Sequence, residues 1–238
     1  RYANTRALQQ LRLTLLLWVI RNKIAENIKR SFDLLVASAA LLLLWPIMLL
    51  AAIAIKLDTP GPVVFYQKRV GKWGKPFDCY KFRSMYVGAD ARKAELTALN
   101  EADQVVFKMK RDPRITSVGY VLRKLSIDEL PQLVNVLKGD MSLVGPRPLL
   151  IQYLPLYSPR QARRHEVRPG ITGSAQINGR NALSWEEKLE MDVWYVENRS
   201  FWIDLKILVF TLFKVFSREG INAPGSATAP FFTGSRPG

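Results

Sequence analysis

Twenty-two consecutive residues, Leu34 to Ile55, carry no formal charge, and cations stand on both sides: Lys29 and Arg30 before, Lys56 after. About 20 apolar residues cross the hydrocarbon core of a bilayer. Cations flank such segments on the cytoplasmic side, and here both flanks are basic. Pro46 falls in the middle of the run. Proline has no N–H to give to the preceding turn and its ring crowds that turn, so it bends a helix. The pattern predicts a re-entrant membrane helix over 31–57 that enters the bilayer, bends near Trp45-Pro46 and returns to the same face. A straight spanning helix with an ordinary kink is the alternative.

Upstream, Leu11 to Ile20 is nearly all apolar, and residues 1–30 hold seven cations against one acid, Glu26. Ten residues are too short to cross a bilayer. They suit a helix lying in the interface with its cations at the head groups, or a helix packed on another domain. Downstream, Asp58-Thr59-Pro60-Gly61-Pro62 is a stop signal. Val63 to Gln67 and Phe77 to Phe82 read as the strands of a hairpin around a basic turn, Val70 to Pro76. Asp90 to Asn100 reads as a helix with Asp90 at its N-cap. Ser184-Trp185-Glu186-Glu187 is a capping box that opens a helix to about Asn198. Ile203 to Phe216 is a further apolar helix, about 14 residues and too short to span. The division is a basic extension over 1–30, the membrane helix over 31–57, a catalytic domain over 58–220 and an irregular tail over 221–238. The fold class is α+β and mostly helical: a monotopic membrane helix kinked at Pro46, a small β-hairpin and amphipathic interfacial helices.

Charge sharpens this picture. The 238 residues hold 35 Lys and Arg against 20 Asp and Glu, a net charge of +15. Such an excess favours an anionic partner: phospholipid head groups, a nucleotide diphosphate or nucleic acid. A single cysteine, Cys79, excludes an internal disulfide framework and a multi-cysteine zinc site. A single histidine, His165, excludes a histidine-cluster metal site. A metal here must sit on oxygen ligands, which points to magnesium, manganese or calcium. No cleavable signal peptide is visible, and the chain opens at Arg1 rather than methionine, which leaves room for residues upstream.

Three constellations carry candidate chemistry. In Ser126-Ile127-Asp128-Glu129-Leu130-Pro131 two acids adjoin in a basic chain. The bland reading is a capping box of Ser126 with Glu129, with Asp128 in the first helical turn; Pro131 would then distort the second turn. The functional reading has a carboxylate attack a phosphoryl centre while its neighbour helps to hold a magnesium ion, beside Arg123 and Lys124. In Gly145-Pro146-Arg147-Pro148 two prolines fix the backbone around one arginine, whose planar fork suits phosphate oxygens; a rigid turn with an arginine–acid pair is the alternative. In the third, Arg168-Pro169-Gly170-Ile171-Thr172-Gly173 precedes Gln176-Ile177-Asn178-Gly179-Arg180. It is either a cationic cradle for a nucleotide or a set of turn glycines, and it fits neither a P-loop nor a dinucleotide fingerprint.

Six segments together resemble a known family. They are Lys29 to Asp33, Tyr80-Lys81-Phe82-Arg83-Ser84-Met85, Leu125 to Leu133, Asn135 to Ser142, Val144 to Pro148 and Val167 to Gly173. Their order is similar to that in the monotopic bacterial sugar transferases, the polyprenyl-phosphate phosphoglycosyl transferases, over about residues 28–217. The resemblance implies transfer of a sugar 1-phosphate from a UDP-sugar to undecaprenyl phosphate on the cytoplasmic face of the bacterial inner membrane, with release of UMP. It implies a ping-pong mechanism in which Asp128 is the nucleophile and Glu129 its partner, with Mg2+ as cofactor on both. Arg147 is expected at a phosphate, and Arg123, Lys81, Arg83, Arg168, Gln176, Asn178 and Arg180 are the further phosphate- or substrate-binding candidates. The stretches Pro148 to Tyr157 and 177–181, with the short catalytic chain, resemble the single-domain members acting on UDP-N-acetylated amino sugars; UDP-glucose or UDP-galactose is the runner-up. Anionic phospholipid, a homodimer and downstream glycosyltransferases are the other partners implied. The chain departs from the family pattern at Trp45, where many members have a small polar residue, and at Gly173 to Gln176, where many place a tryptophan. A membrane-tethered nucleic-acid-binding protein is the reading from another class, and the lack of aromatic-basic interleaving argues against it. A non-catalytic assembly scaffold is a third, and the intact Asp128-Glu129 pair argues against that.

Overall fold

The fold is that of a computed structural model, which describes residues 2–89, 112–179, 183–217 and 232–234. The helix expected over Asp90 to Asn100, Arg180 and most of the tail lie outside the described residues. Helix α1, Tyr2–Asp58, is 57 residues long, roughly 85 Å at the usual rise. It takes in the expected interfacial stretch, Leu11 to Ile20, without a break and carries Pro46 inside it. The missing N–H of Pro46 leaves the carbonyl of Leu42 without its helical donor. Among the described residues α1 is the one helix long and apolar enough to cross a membrane.

One stripe of α1 faces the rest of the protein. Ala37, Ala51 and Ile55 are buried, with Leu41, Met48 and Ala52 partly buried beside them. Their spacing is that of one helical face. The other faces are bare: Leu35, Leu42, Leu43, Leu50 and Leu57 are at least two-thirds exposed. So large an apolar surface on a protein marks contact with lipid or another apolar body.

Polar contacts lock both flanks of the uncharged run to the same body. At its start, Asp33 is 2% exposed. It accepts hydrogen bonds from Ser142 Oγ (2.7 Å) and Leu143 N (3.3 Å). Lys29 pairs with Asp204, and Arg30 donates to the carbonyls of Val136 (2.6 Å) and Leu137 (3.0 Å). At its end, Arg83 donates to the carbonyls of Thr59 (2.7 Å) and Pro60 (2.5 Å), and Asp58 accepts from Val118 N at 3.3 Å. Both ends of the uncharged run therefore rest against one domain, as a monotopic segment requires.

The expected hairpin is present. β1 (Val64–Val70) pairs antiparallel with β2 (Pro76–Phe82), Val64 opposite Phe82 and Val70 opposite Pro76. Helix α2 (Ser117–Lys124) follows, capped by Thr116, whose hydroxyl accepts from Gly119 N at 2.9 Å. Helix α3 (Gln132–Lys138) ends at Gly139, φ 91°, in the left-handed conformation that glycine adopts without strain. β3 (Ser142–Val144) and β4 (Gly170–Thr172) form a short parallel pair. Helices α4 (Pro159–Ala162) and α5 (Ser174–Ile177) are single turns. Helix α6 (Trp185–Asn198) opens on the expected capping box of Ser184 with Glu187, and α7 (Phe201–Ser217) is the apolar helix expected near its place. The main core gathers Ala37, Val136, Met141, Val144, Tyr195 and Ile207 from α1, α3, β3, α6, α7 and the turn before β3.

Asp33 is the polar anchor of α1 on this core. Asp33→Ala leaves Ser142 Oγ and Leu143 N buried without an acceptor, a cost of about 2–3 kcal/mol. The thermal unfolding midpoint in detergent is expected to fall by several degrees, and by less in Asp33→Asn, which keeps one acceptor oxygen. An unchanged midpoint in Asp33→Ala would refute the anchor.

Candidate active site

The hairpin supplies the floor of the site. Residues two apart on a strand share a face, so Gln67 and Arg69 of β1 lie on the same side as Cys79 and Lys81 of β2. On that face Gln67 Oε1 accepts from Arg69 Nη2 at 2.6 Å. Asn135 of α3, fully buried, fixes the hairpin in place. Its amide donates to Asp78 O (2.7 Å) and accepts from Tyr80 N (3.0 Å). The middle of α3 is thereby tied to the strand that carries Lys81.

The two adjacent acids stand in the turn that leads into α3, and they are not a capping box. Ser126 is left-handed, φ 55°, and its side chain caps nothing. Ile127–Glu129 is one 3-10 turn, and Pro131 is the N-cap of α3 rather than a distortion in its second turn. The physical reason lies across the site. Glu129 Oε1 accepts from Lys81 Nζ at 2.7 Å and from Arg147 Nη2 at 2.7 Å. Two charge-assisted bonds outweigh the single bond a capping box would have given Glu129. Ser126 and Trp73 are the two non-glycine residues with positive φ among those described, and such strain persists only where the surroundings enforce it.

Arg147 is held by the backbone around it. Gly145 N donates to Thr172 O (2.9 Å), and Gly170 N to Pro146 O (3.0 Å). A Cβ at Gly170 would collide with Gly145 N, and one at Gly145 with Arg168 O. These glycines therefore serve close backbone approach, which puts the β3–β4 pair directly under the turn. Arg164, 2% exposed, donates to Arg147 O at 2.7 Å and pairs with Asp192 of α6 at 2.7 Å. Arg69 reaches Pro148 O at 3.5 Å.

This packing drives the neighbouring acids apart electrostatically. Asp128 is 8% exposed. Burial raises its pKa above the ordinary carboxylate value and Glu129 adds to that, against the pull of Lys81, Arg123 and Arg147. Burial works the same way on Glu129, but Arg147 and Lys81 outweigh it and hold that carboxyl well below its ordinary value. Arg147 is raised, chiefly by Glu129. Arg69 is lowered, by burial and then by Arg147. The result is one firmly ionised acid clamped between cations and, beside it, one buried acid whose charge is costly, as expected of groups with different tasks.

The structure brings Lys81, Asp128, Glu129 and Arg147 together, with Arg123 near enough to act on Asp128. It leaves Arg83 and Arg168 elsewhere. Arg83 is 6% exposed and directed at the carbonyls ending α1, while Arg168 Nε donates to Gly139 O, after α3, at 2.9 Å. Asn178 bonds back to Ser174 O at 2.9 Å. Gln176 buries both amide atoms without a hydrogen-bond partner among the described residues. Arg180 lies outside the described residues. Arg69, Asn135, Arg164 and Asp192 escape the sequence reading; alternation along β1, which places Arg69 on the face of Lys81, is the signal for the first.

Among the described residues no three Asp, Glu, His or Cys side chains gather at ligand spacing. The site offers the carboxyl of Asp128 and the second oxygen of Glu129. A cation held there needs its other ligands from water or phosphate, which is the habit of magnesium.

Comparison with known proteins agrees with this arrangement. The model of the family "Bacterial sugar transferase" matches residues 24–218. The chain is 55% identical over 208 residues to the uncharacterized sugar transferase EpsL of Bacillus subtilis, covering 87% of this chain and 96% of that one. It is 41% identical over 209 residues to the undecaprenyl-phosphate galactose phosphotransferase of Salmonella typhimurium. It is 44% identical over 200 residues to the UDP-glucose:undecaprenyl-phosphate glucose-1-phosphate transferase of Escherichia coli. These matches cover 84% and 79% of this chain but only 44% and 40% of the two relatives, so it spans less than half their length. The chain belongs to the bacterial sugar transferase family, and the transferase class expected from its motifs holds.

The Arg164–Asp192 pair behind Arg147 is buried on both sides, with side chains 1% and 5% exposed. Arg164→Met strands the Asp192 charge and is expected to cost about 3–5 kcal/mol of stability. The double variant Arg164→Met/Asp192→Leu should recover most of that in chemical denaturation. Equal losses in the single and double variants would show that the pair is not the source.

Proposed function

We propose that the protein transfers a sugar 1-phosphate from a UDP-sugar to polyprenyl phosphate, releasing UMP, through a covalent intermediate on Asp128. The observation that carries this reading is the buried Asp128 carboxyl beside Glu129, which is clamped between Lys81 and Arg147. The names of the Salmonella and E. coli relatives support the reaction class.

In the first step an Asp128 carboxylate oxygen attacks the sugar-bearing phosphorus of the donor. The bond from that phosphorus to the bridging oxygen breaks, and UMP leaves with the bond's electron pair. In the second step a phosphate oxygen of the lipid attacks the same phosphorus and the Asp128 carboxylate departs. Lys81 and Arg147 supply positive charge already in place, which is most of what phosphoryl transfer asks of a protein. Their shared bond to Glu129 keeps both from collapsing onto Asp128 and capturing the nucleophile. Magnesium, held by Asp128 and Glu129 together with the donor's diphosphate, would neutralise further charge there.

The lipid acceptor fits the bare apolar faces of α1, whose flanks dock on the domain that carries the site. We place the protein on the cytoplasmic face of the bacterial inner membrane, since basic residues flank both ends of the uncharged run. Five relatives are named for galactose or glucose. That favours a UDP-hexose over the N-acetylated amino sugar expected from the sequence.

UMP release by the detergent-solubilised protein with magnesium and undecaprenyl phosphate tests this, across UDP-glucose, UDP-galactose and UDP-N-acetylated amino sugars. One donor should turn over, and Asp128→Asn should reduce that turnover by at least about 10³-fold while the protein stays folded. Retained activity in Asp128→Asn would sink the covalent mechanism.

The pH dependence follows from the same electrostatics. Asp128 must be ionised to attack, and its pKa is raised, so the acid limb of log kcat should lie above the ordinary aspartate value. Lys81 lowers the Asp128 pKa, so Lys81→Met should move that limb to higher pH. A limb that stays or moves lower would contradict the assignment. The stability contribution of Glu129 runs oppositely. Its depressed pKa favours the fold at neutral pH, and that contribution is lost as pH falls through the folded-state value.

A further inference from the structure

An aromatic cluster lies behind the site and takes part in none of the steps above. Phe232 is 3% exposed although it belongs to the C-terminal tail. Its ring lies 5.5 Å from Tyr157, nearly parallel at 25°, 5.8 Å from Tyr153, edge-on, and 5.4 Å from Trp185. Leu149, Leu150 and Leu156 pack on the same cluster. The Phe232 backbone hydrogen-bonds the Tyr153 hydroxyl, and Gly234, φ 101°, passes beside Leu156. Residues 232–234 therefore lie as a strap across the turn of Ile151–Leu156, with one ring driven into it.

What that ring supports is the turn bearing Arg147. On one side Leu149 and Leu150 follow Pro148 directly. Leu149 O accepts from Val70 N at 3.0 Å, Leu150 bridges Arg69, and Arg69 reaches Pro148 O. On the other side Arg164 holds Arg147 O, and its guanidinium lies 5.8 Å from the Tyr157 ring that stacks on Phe232. Both supports of the Arg147 turn thus run through the cluster that Phe232 enters. We infer that Phe232 is a positioning residue, a plug supplied by the tail that holds the Arg147 turn against Glu129. A ring removed from a closed aromatic cluster leaves a cavity that neighbours fill only in part, and here those neighbours are the supports of the turn.

The inference rests on the proposed function only where activity is its readout. Phe232→Ala and Phe232→Leu in the full chain, each alone and combined with Arg147→Met, are compared for UMP release in one detergent. Phe232→Ala should lower kcat/KM by about tenfold, with most of that recovered in Phe232→Leu. In the Arg147→Met background it should add little, since residues acting through one another are not additive. Wild-type kcat/KM in Phe232→Ala, or the same tenfold loss in the Arg147→Met background, would overturn the inference. If wild-type protein releases UMP from no donor, the functional reading fails, and hydrogen exchange at Leu149 and Leu150 decides the plug alone. Faster exchange there in Phe232→Ala supports it, and the wild-type rate overturns it.

Discussion

One carboxylate oxygen holds the site together. Glu129 Oε1 accepts from Lys81 and Arg147 at 2.7 Å each, joining the hairpin, the 3-10 turn before α3 and the Pro146-Arg147-Pro148 turn. With its side chain only 13% exposed, Glu129 cannot lose these two partners cheaply. Asn135 ties β2 to α3, and Arg164 ties the Arg147 turn to α6. Each of these outer contacts fixes one of the elements that converge on this oxygen.

The clamp also explains how two adjacent acids come to differ. In a 3-10 turn successive side chains diverge by about 120°, so Asp128 and Glu129 face separate surroundings. Glu129 takes two direct cationic partners and stays ionised. Asp128 takes the burial and feels the same cations only at a distance. Left-handed Ser126 is what lets the chain leave α2 and enter this turn. The backbone strain and the electrostatic asymmetry are therefore two aspects of one local geometry, and a regular helix start would have abolished both.

The proposed transfer to a lipid adds a constraint that the clamp cannot meet, since the domain would then need a fixed depth. Helix α1 meets it with polar contacts at both ends of its uncharged run and small apolar residues between. Asp33 and Lys29 work at one end, and Arg83 gathers the terminal carbonyls at the other. Arg83 has lost its solvent for this purpose. A cation so engaged has little left for a phosphate, so α1's docking and the site draw on different arginines of a chain that carries many.

The sequence foretells local structure well and the electrostatic partners poorly, and two similar patterns show why. Ser184 with Glu187 and Ser126 with Glu129 both spell a capping box. At Ser184 the acid and the hydroxyl are exposed, no cation among the described residues hydrogen-bonds Glu187, and the box forms. At Ser126 the acid meets Lys81, 48 residues earlier in the chain, and Arg147, 18 residues later, and the local bond loses. The hairpin, α6 and α7 are legible for the same reason as the first box, since nearby residues decide them. Arg69, Arg83, Arg164 and Arg168 are not. An arginine has the same appearance in sequence whether it meets a phosphate, a buried aspartate or a helix's last carbonyls, and only the folded chain shows which acceptor it reaches. The tail is the extreme case: nothing near Phe232 in sequence reveals the aromatic cluster it enters, because Tyr153, Tyr157 and Trp185 all come from far upstream.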